Sequence, residues 1–267
     1  MTASTSDAQI LTAGGKLLAR TWIPHHHSAH RPETILLFHD SLGSIDLWRN
    51  FPAALATATG LPVLAYDRLG FGRSDARHDT LPPTFIRDEA INIVPAVLAA
   101  TGLTRIIPFG HSVGGAMAVA TAAHLPDRCA ALIIESAQSF VEDRTIAGVR
   151  AGQIEFAQPH RFERLAHYHG SKARWVLDAW INTWLAPGYA TWTLDDDLQG
   201  VTCPTLVLHG DQDEYGSPRH PERIAQNTQG PSQLVILKNC GHVPHREHTA
   251  RVLQEVNRFL ASCNLAT

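Results

Sequence analysis

Ser112 lies in Gly110-His111-Ser112-Val113-Gly114, a G-x-S-x-G set between the apolar run "RIIPFG" and the small-residue run "GGAMAVATAA". A strand entering a helix through such a turn holds its serine in a strained, exposed conformation, and side chains at the flanking glycines would clash. A serine hydroxyl is a poor nucleophile at neutral pH, so it needs a base, and the base needs an acid to orient it. His242 in "LKNCGHVPHREH" is the best base, because it follows the last apolar run and precedes the final helical pattern. His245 and His248 are rivals that fall where that helix begins and read as surface residues. For the acid, "VLHGDQDEYGSP" offers Asp211, Asp213 and Glu214 after another apolar run. Asp213, three residues past Gly210, is favoured, and Asp211 reads as bonding within the turn. Glu135, closing "ALIIE", is an alternative acid that could reach the same histidine. The chemistry implied is acyl transfer.

Such groups need a rigid frame, and the chain has the pattern of one. Apolar runs at 34–39, 62–67, 105–110, 131–136, 204–210 and 232–238 alternate with helical patterns at 46–59, 84–101, 113–124, 218–229 and 246–262. That alternation predicts βα units and a mainly parallel sheet, and near-continuous apolarity suits strands covered on both faces. "AQILTA" and "LLARTWI", separated by Gly14-Gly15, predict an antiparallel hairpin leading into the sheet. From 140 to 200 the alternation stops: helical patterns continue without a strand, and the stretch holds four of the six tryptophans. This reads as a helical lid inserted between two strands.

Bulk properties narrow the class. At 267 residues, with 44% hydrophobic and 18% charged residues and no apolar run long enough to span a bilayer, the chain reads as a soluble globular protein with one core. The polar start "MTASTSDAQI" lacks the pattern of a secretory signal, so a cytoplasmic location is expected. A net charge of -3 with scattered arginines argues against a nucleic-acid partner and fits a small-molecule ligand. The four cysteines are widely spaced and read as free thiols rather than a disulfide or zinc set. The run "HHHSAH" at 25–30 reads as an exposed connection, since neither carboxylates nor a rigid element stands behind it.

"FHDSLGS", "YDRLGFGRSD", "GHSVGG", "HGDQDEY" and "CGHVPHRE", in this order, resemble the α/β-hydrolase superfamily over nearly the whole chain. The resemblance implies an α/β fold with a mostly parallel eight-stranded sheet, a core of residues 1–139 and 201–267, and a helical cap of 140–200 after the sixth strand. It implies no metal and no organic cofactor. It makes Ser112 the nucleophile, Asp213 the acid and His242 the base, with the backbone N–H groups of Val113 and Ser41 as oxyanion hole. The "YDRLGFGRSD" loop is structural by the same likeness. Dehalogenases of this fold carry Asp where Ser112 stands, so the chain looks unlike them there.

The leading expectation is hydrolysis of a small or medium carboxylic ester, apolar or aromatic. Lactone or enol-lactone, thioester and carbon–carbon hydrolysis use the same triad, and "HDSLGS" with the following "LW" is also similar to enol-lactonases and a menaquinone-pathway lyase of this fold. A non-catalytic hydrolase-like binding protein is the alternative from another class. Trp175, Trp180, Trp184, Asp40 and His111 are candidate substrate-binding residues, whereas His160, His167 and His169 on the lid read as surface residues. A monomer or homodimer is expected.

One departure stands out. Asp40 occupies a position where the family usually has glycine, and a carboxylate beside a developing oxyanion opposes it. Asp40 is therefore expected to turn away and bond loop amides or an arginine, while the Ser41 hydroxyl could add a third oxyanion donor.

Overall fold

The computed structural model describes residues 3–25 and 32–263. Beyond His25, the histidine run at 25–30 lies outside the described residues.

Eight strands form one sheet in the order β1-β2-β4-β3-β5-β6-β7-β8. They are β1 (Ser4–Thr12), β2 (Gly15–Ile23), β3 (Glu33–Phe38), β4 (Val63–Tyr66), β5 (Arg105–His111), β6 (Leu132–Glu135), β7 (Thr205–Gly210) and β8 (Ser232–Leu237). The β1–β2 and β2–β4 pairs are antiparallel and the other five are parallel. Every residue of β3 is buried. Leu36 and Phe38 belong to the core on one side of the sheet, and Ile35 and Leu37 to the core on the other. A strand covered twice has no solvent face, which is why its sequence does not alternate.

Helices α1 (Phe51–Thr59), α2 (Phe85–Asp88), α3 (Val94–Thr101), α4 (Val113–His124), α9 (Arg219–Asn227), α10 (Pro244–Glu247) and α11 (Thr249–Ser262) accompany the sheet. The segment between β6 and β7 forms α5 (Asp143–Phe156), α6 (Pro159–His169), α7 (Ala173–Trp184) and the short α8 (Asp195–Leu198). The buried Asp197 of α8 accepts from Arg87 Nε at 3.0 Å and pairs with His124 Nε2 at 3.1 Å, so the end of the insertion is seated on the core helices.

Two predicted helices are interrupted. The 46–59 pattern divides into a 3₁₀ turn at Ile45–Trp48 and α1, with Arg49 at φ 53° and Pro52 opening the new helix. The 84–101 pattern becomes α2, a π turn at Glu89–Ile93 and α3. Pro95, in the first turn of α3, has no N–H to continue the ladder. Among the described residues, no helix is long and apolar enough to cross a membrane, and all four cysteines are free.

Candidate active site

Ser112 forms the turn between β5 and α4, at φ 56° and ψ -126°. Two close approaches permit that turn. A Cβ on Gly110 would come within 2.0 Å of the Gly114 carbonyl oxygen, and one on Gly114 within 2.1 Å of the Phe38 carbonyl oxygen. Glycine is thus required for the helix to pack on the strand and for the oxyanion loop to lie against the helix start. The N–H of Val113, in the first turn of α4, has no carbonyl within the helix to bond.

Asp213 and His242 come from the loops after β7 and β8. His242 Nδ1 lies 2.9 and 2.8 Å from the two carboxylate oxygens of Asp213. Asp213 Oδ1 also accepts the N–H groups of Tyr215 and Gly216, at 2.8 and 3.1 Å. Burial opposes the carboxylate charge, but the charge and hydrogen bond of His242 outweigh it and lower Asp213 to about 2. An ionised acid accepts a hydrogen bond from Nδ1–H of the ring, which leaves Nε2 with the lone pair a base needs. Ser112 Oγ donates weakly to Gln138 Oε1, at 3.5 Å. In the absence of substrate the serine–histidine contact is commonly loose.

Ser112 and His242 share the wall of a cavity of about 420 Å³, with Asp213 buried behind the histidine. Its apolar side comes mainly from the insertion, with Val149, Phe156, Leu165, Trp180 and Trp184, and its polar side includes Ser41, Asp40, His111 and Gln138. Trp175 is not part of this wall. It lies edge-on to Phe71 and donates Nε1–H to the Asp79 carbonyl at 3.0 Å, so it covers the Gly70–Phe71 turn instead.

The loop of residues 40–43, expected to carry the oxyanion donor Ser41, is tied down by Asp40. Its Oδ1 accepts the Leu42 N–H at 2.8 Å, and the Gly43 N–H donates to its carbonyl at 3.1 Å. Among the described residues the Ser41 N–H makes no hydrogen bond. Asp40 does bond a loop amide as expected, but among the described residues no arginine forms an ion pair with it: Oδ2 faces His111 Nδ1 at 3.4 Å, and the side chain still borders the cavity. Below the loop, Arg68 donates to the Asp40 carbonyl at 2.7 Å and His39 Nδ1–H to the same oxygen at 2.9 Å, which gives the "YDRLGFGRSD" loop a supporting position.

Two histidines read as surface residues are buried. His169, at the end of α6, donates Nε2–H to the Leu42 carbonyl and accepts the Gly72 N–H at Nδ1, at 3.0 and 2.9 Å. His245 donates Nδ1–H to Glu135 Oε2 at 2.5 Å and packs against Trp48 and Phe51. That bond also removes Glu135 from the role of alternative acid, because its partner is His245 and not His242. Polar atoms of His111, Glu135 and His245 lie within 4.8 Å of one another. Two ligands of one tetrahedral zinc ion sit about 3.3 Å apart given bonds near 2.0 Å, so the 2.5 Å contact reads as a hydrogen bond rather than a ligand pair.

Sequence reasoning missed Gln138 and Glu247. Glu247 accepts the N–H groups of Gly241 and Val243, at 2.7 and 3.0 Å, and so brackets His242 on both sides. Its position just after a loop histidine, in the first turn of a helix, is the signal that was available.

Residues 35–255 match the alpha/beta hydrolase family. Among curated relatives, 2-hydroxy-6-oxo-2,4-heptadienoate hydrolase of Pseudomonas putida is 24% identical over 88% of this chain and 92% of its own. The 2-hydroxymuconate semialdehyde hydrolase of a Pseudomonas species is 25% identical over 95% of both. Among solved structures, the enol-lactonase of Burkholderia xenovorans superposes with a TM-score of 0.72 at 20% identity, covering 95% of this chain and 100% of that one. With Ser112 at the strained turn between β5 and α4, an Asp213–His242 pair after the last two strands and a family match over residues 35–255, the chain belongs to the alpha/beta hydrolase family.

Proposed function

We propose that the chain hydrolyses a small or medium carboxylic ester through an acyl-enzyme on Ser112. The observation that carries this reading is that Ser112, at its strained turn, and His242, held from behind by Asp213, open onto one cavity with an apolar side supplied by the insertion. His242 Nε2 takes the Ser112 proton as Oγ attacks the carbonyl. The N–H groups of Val113 and Ser41 receive the oxyanion, each donor worth about 3 kcal/mol. His242 then protonates the leaving group, and water, deprotonated by the same ring, releases the acid.

A second reading is supported by the two Pseudomonas relatives, whose names describe hydrolases of dienoate and semialdehyde substrates and which align over nearly their full lengths. In this reading the bond cleaved is carbon–carbon or that of an enol-lactone, with the same serine, base and oxyanion donors.

Labelling with a fluorophosphonate tests the common core: wild type should react at Ser112 and Ser112→Ala should not. An unlabelled folded wild type would remove the hydrolase reading in favour of a binding protein. Turnover of a panel of p-nitrophenyl esters, enol-lactones and vinylogous diketones then decides between the two bonds.

A further inference from the structure

Asp40 stands where the resemblance implies glycine, and both of its carboxylate oxygens are engaged. Oδ1 closes the oxyanion loop through the Leu42 N–H, and Oδ2 lies 3.4 Å from Nδ1 of His111. His111, the residue before Ser112, is 2% exposed, and its Nε2–H donates to the carbonyl of His242 at 2.8 Å. A single connected path therefore runs from the Leu42 amide through Asp40 and His111 to the main chain of the base.

The protonation of His111 follows from its neighbours. A carbonyl can only accept, so Nε2 carries a proton. In a neutral ring Nδ1 would then present a lone pair to the Asp40 carboxylate, with a carboxylate oxygen of Glu135 within 4.8 Å of a ring nitrogen, and like-signed electron density would meet around a buried ring. A proton on Nδ1 removes that conflict. At 3.4 Å the contact is an attraction between charges rather than a hydrogen bond, and Nδ1 has no hydrogen-bond partner among the described residues. Burial works against the imidazolium, but Asp40 and then Glu135 outweigh it and raise His111 above the usual histidine value. Burial likewise opposes the Asp40 charge, and His111 above all, with Arg246, reverses that and holds it well below the usual carboxylate range. Two further titratable rings face His111: His245, whose Nδ1–H donates to Glu135, and His242, 5.1 Å away between ring centroids and bonded to Asp213.

We propose that Asp40 and His111 are positioning residues, an ionised pair that ties the oxyanion loop to the backbone of His242. Ser41 N–H and the base are thereby held at one spacing on either side of Ser112. The assignment rests on the acyl-transfer reading of Ser112.

The test compares wild type, Asp40→Asn, His111→Asn and the double variant in the rate of fluorophosphonate labelling and in kcat and KM for p-nitrophenyl butyrate. Each single substitution should lower kcat and the labelling rate ten-fold or more with KM changed less than threefold. The double variant should fall no more than twofold below the weaker single, because both changes break one tie. In ¹⁵N spectra of histidine-labelled protein at pH 7, both His111 nitrogens should carry protons in wild type and only one in Asp40→Asn. Wild-type labelling by Asp40→Asn, multiplying losses in the double variant, or a neutral His111 in wild type would each overturn the proposal. If His111→Asn does not fold, Asp40→Asn with the ¹⁵N spectra decides it. A wild type that resists the fluorophosphonate yet shows the imidazolium would overturn the acyl-transfer reading and leave the ion pair standing.

Discussion

His169, on the inserted helices, donates Nε2–H to the carbonyl of Leu42 in the oxyanion loop at 3.0 Å. Its other nitrogen accepts from Gly72, so one buried ring joins the insertion, the oxyanion loop and the loop after β4. His169→Ala leaves the Leu42 carbonyl and the Gly72 N–H without partners, at about 1–3 kcal/mol for each group. The expected outcome is a lower urea midpoint together with labelling of Ser112 slowed about ten-fold, since the loop that carries Ser41 is released. Urea unfolding and labelling kinetics check this, and a variant with wild-type stability shows that the ring is not the link.

Glu247 lies beside His242 rather than beside Ser41 and Val113. Its two oxygens hold the N–H groups on either side of His242, and the side chain is exposed. Glu247→Ala should lower kcat about ten-fold, equivalent to about 1.4 kcal/mol of transition-state stabilisation, while changing stability by less than 1 kcal/mol, as exposed substitutions usually do. Steady-state kinetics beside thermal unfolding separate the two effects. Unchanged kcat in the folded variant rules the bracket out.

What could be read in the sequence was local. Ser112 is set by the glycines two residues on either side, and Asp213 and His242 each follow an apolar run within a few residues, so strand pattern and turn chemistry located them together. The sheet was legible for a similar reason, because a strand covered on both faces writes its burial into every residue, as β3 does. The misread histidines depend on partners far along the chain. His169 is buried by Leu42 and Gly72, and His245 by Glu135, Trp48 and Phe51. No spacing within "LAHYHG" or "HVPHRE" announces those partners. Trp175 shows the same limit, since its helix also supplies Trp180 and Trp184 to the cavity, and only its contact with Phe71 takes it elsewhere.

Buried neutral histidines set an acid limit on stability. Burial is the largest cause lowering His39, His169, His209, His220 and His245, and it brings His220 to about 4. Below about pH 6.5 the unfolded chain takes up protons that these folded rings refuse. Stability is therefore full above that pH and falls as the pH drops, by about 1.4 kcal/mol per pH unit for each proton of difference. His111 has the opposite sign, contributing below about pH 6.5 and losing its contribution as the pH rises, but it is one ring against five. The urea midpoint should be clearly lower at pH 5.0 than at pH 7.5. A flat or rising midpoint toward acid would contradict the neutral state of these rings.

The choice of acid is open to direct test, because β6 and β7 are neighbours and each ends near the base with a carboxylate. Asp213 is bonded to His242 Nδ1 and held by two amides, whereas Glu135 is bonded to His245. Asp213→Asn removes the charge that fixes the base in its tautomer and stabilises the imidazolium, and should reduce turnover about 10⁴-fold. Glu135→Gln removes a charge that is bonded to His245 rather than to His242, and should reduce turnover by less than about ten-fold, with its larger effect on stability because a buried hydrogen bond to a charged group is weakened. The ratio of the two kcat losses is the measurement. If Glu135→Gln is the more damaging change to kcat in a folded protein, the proton relay runs through His245 and the roles given to Asp213 and His242 are wrong.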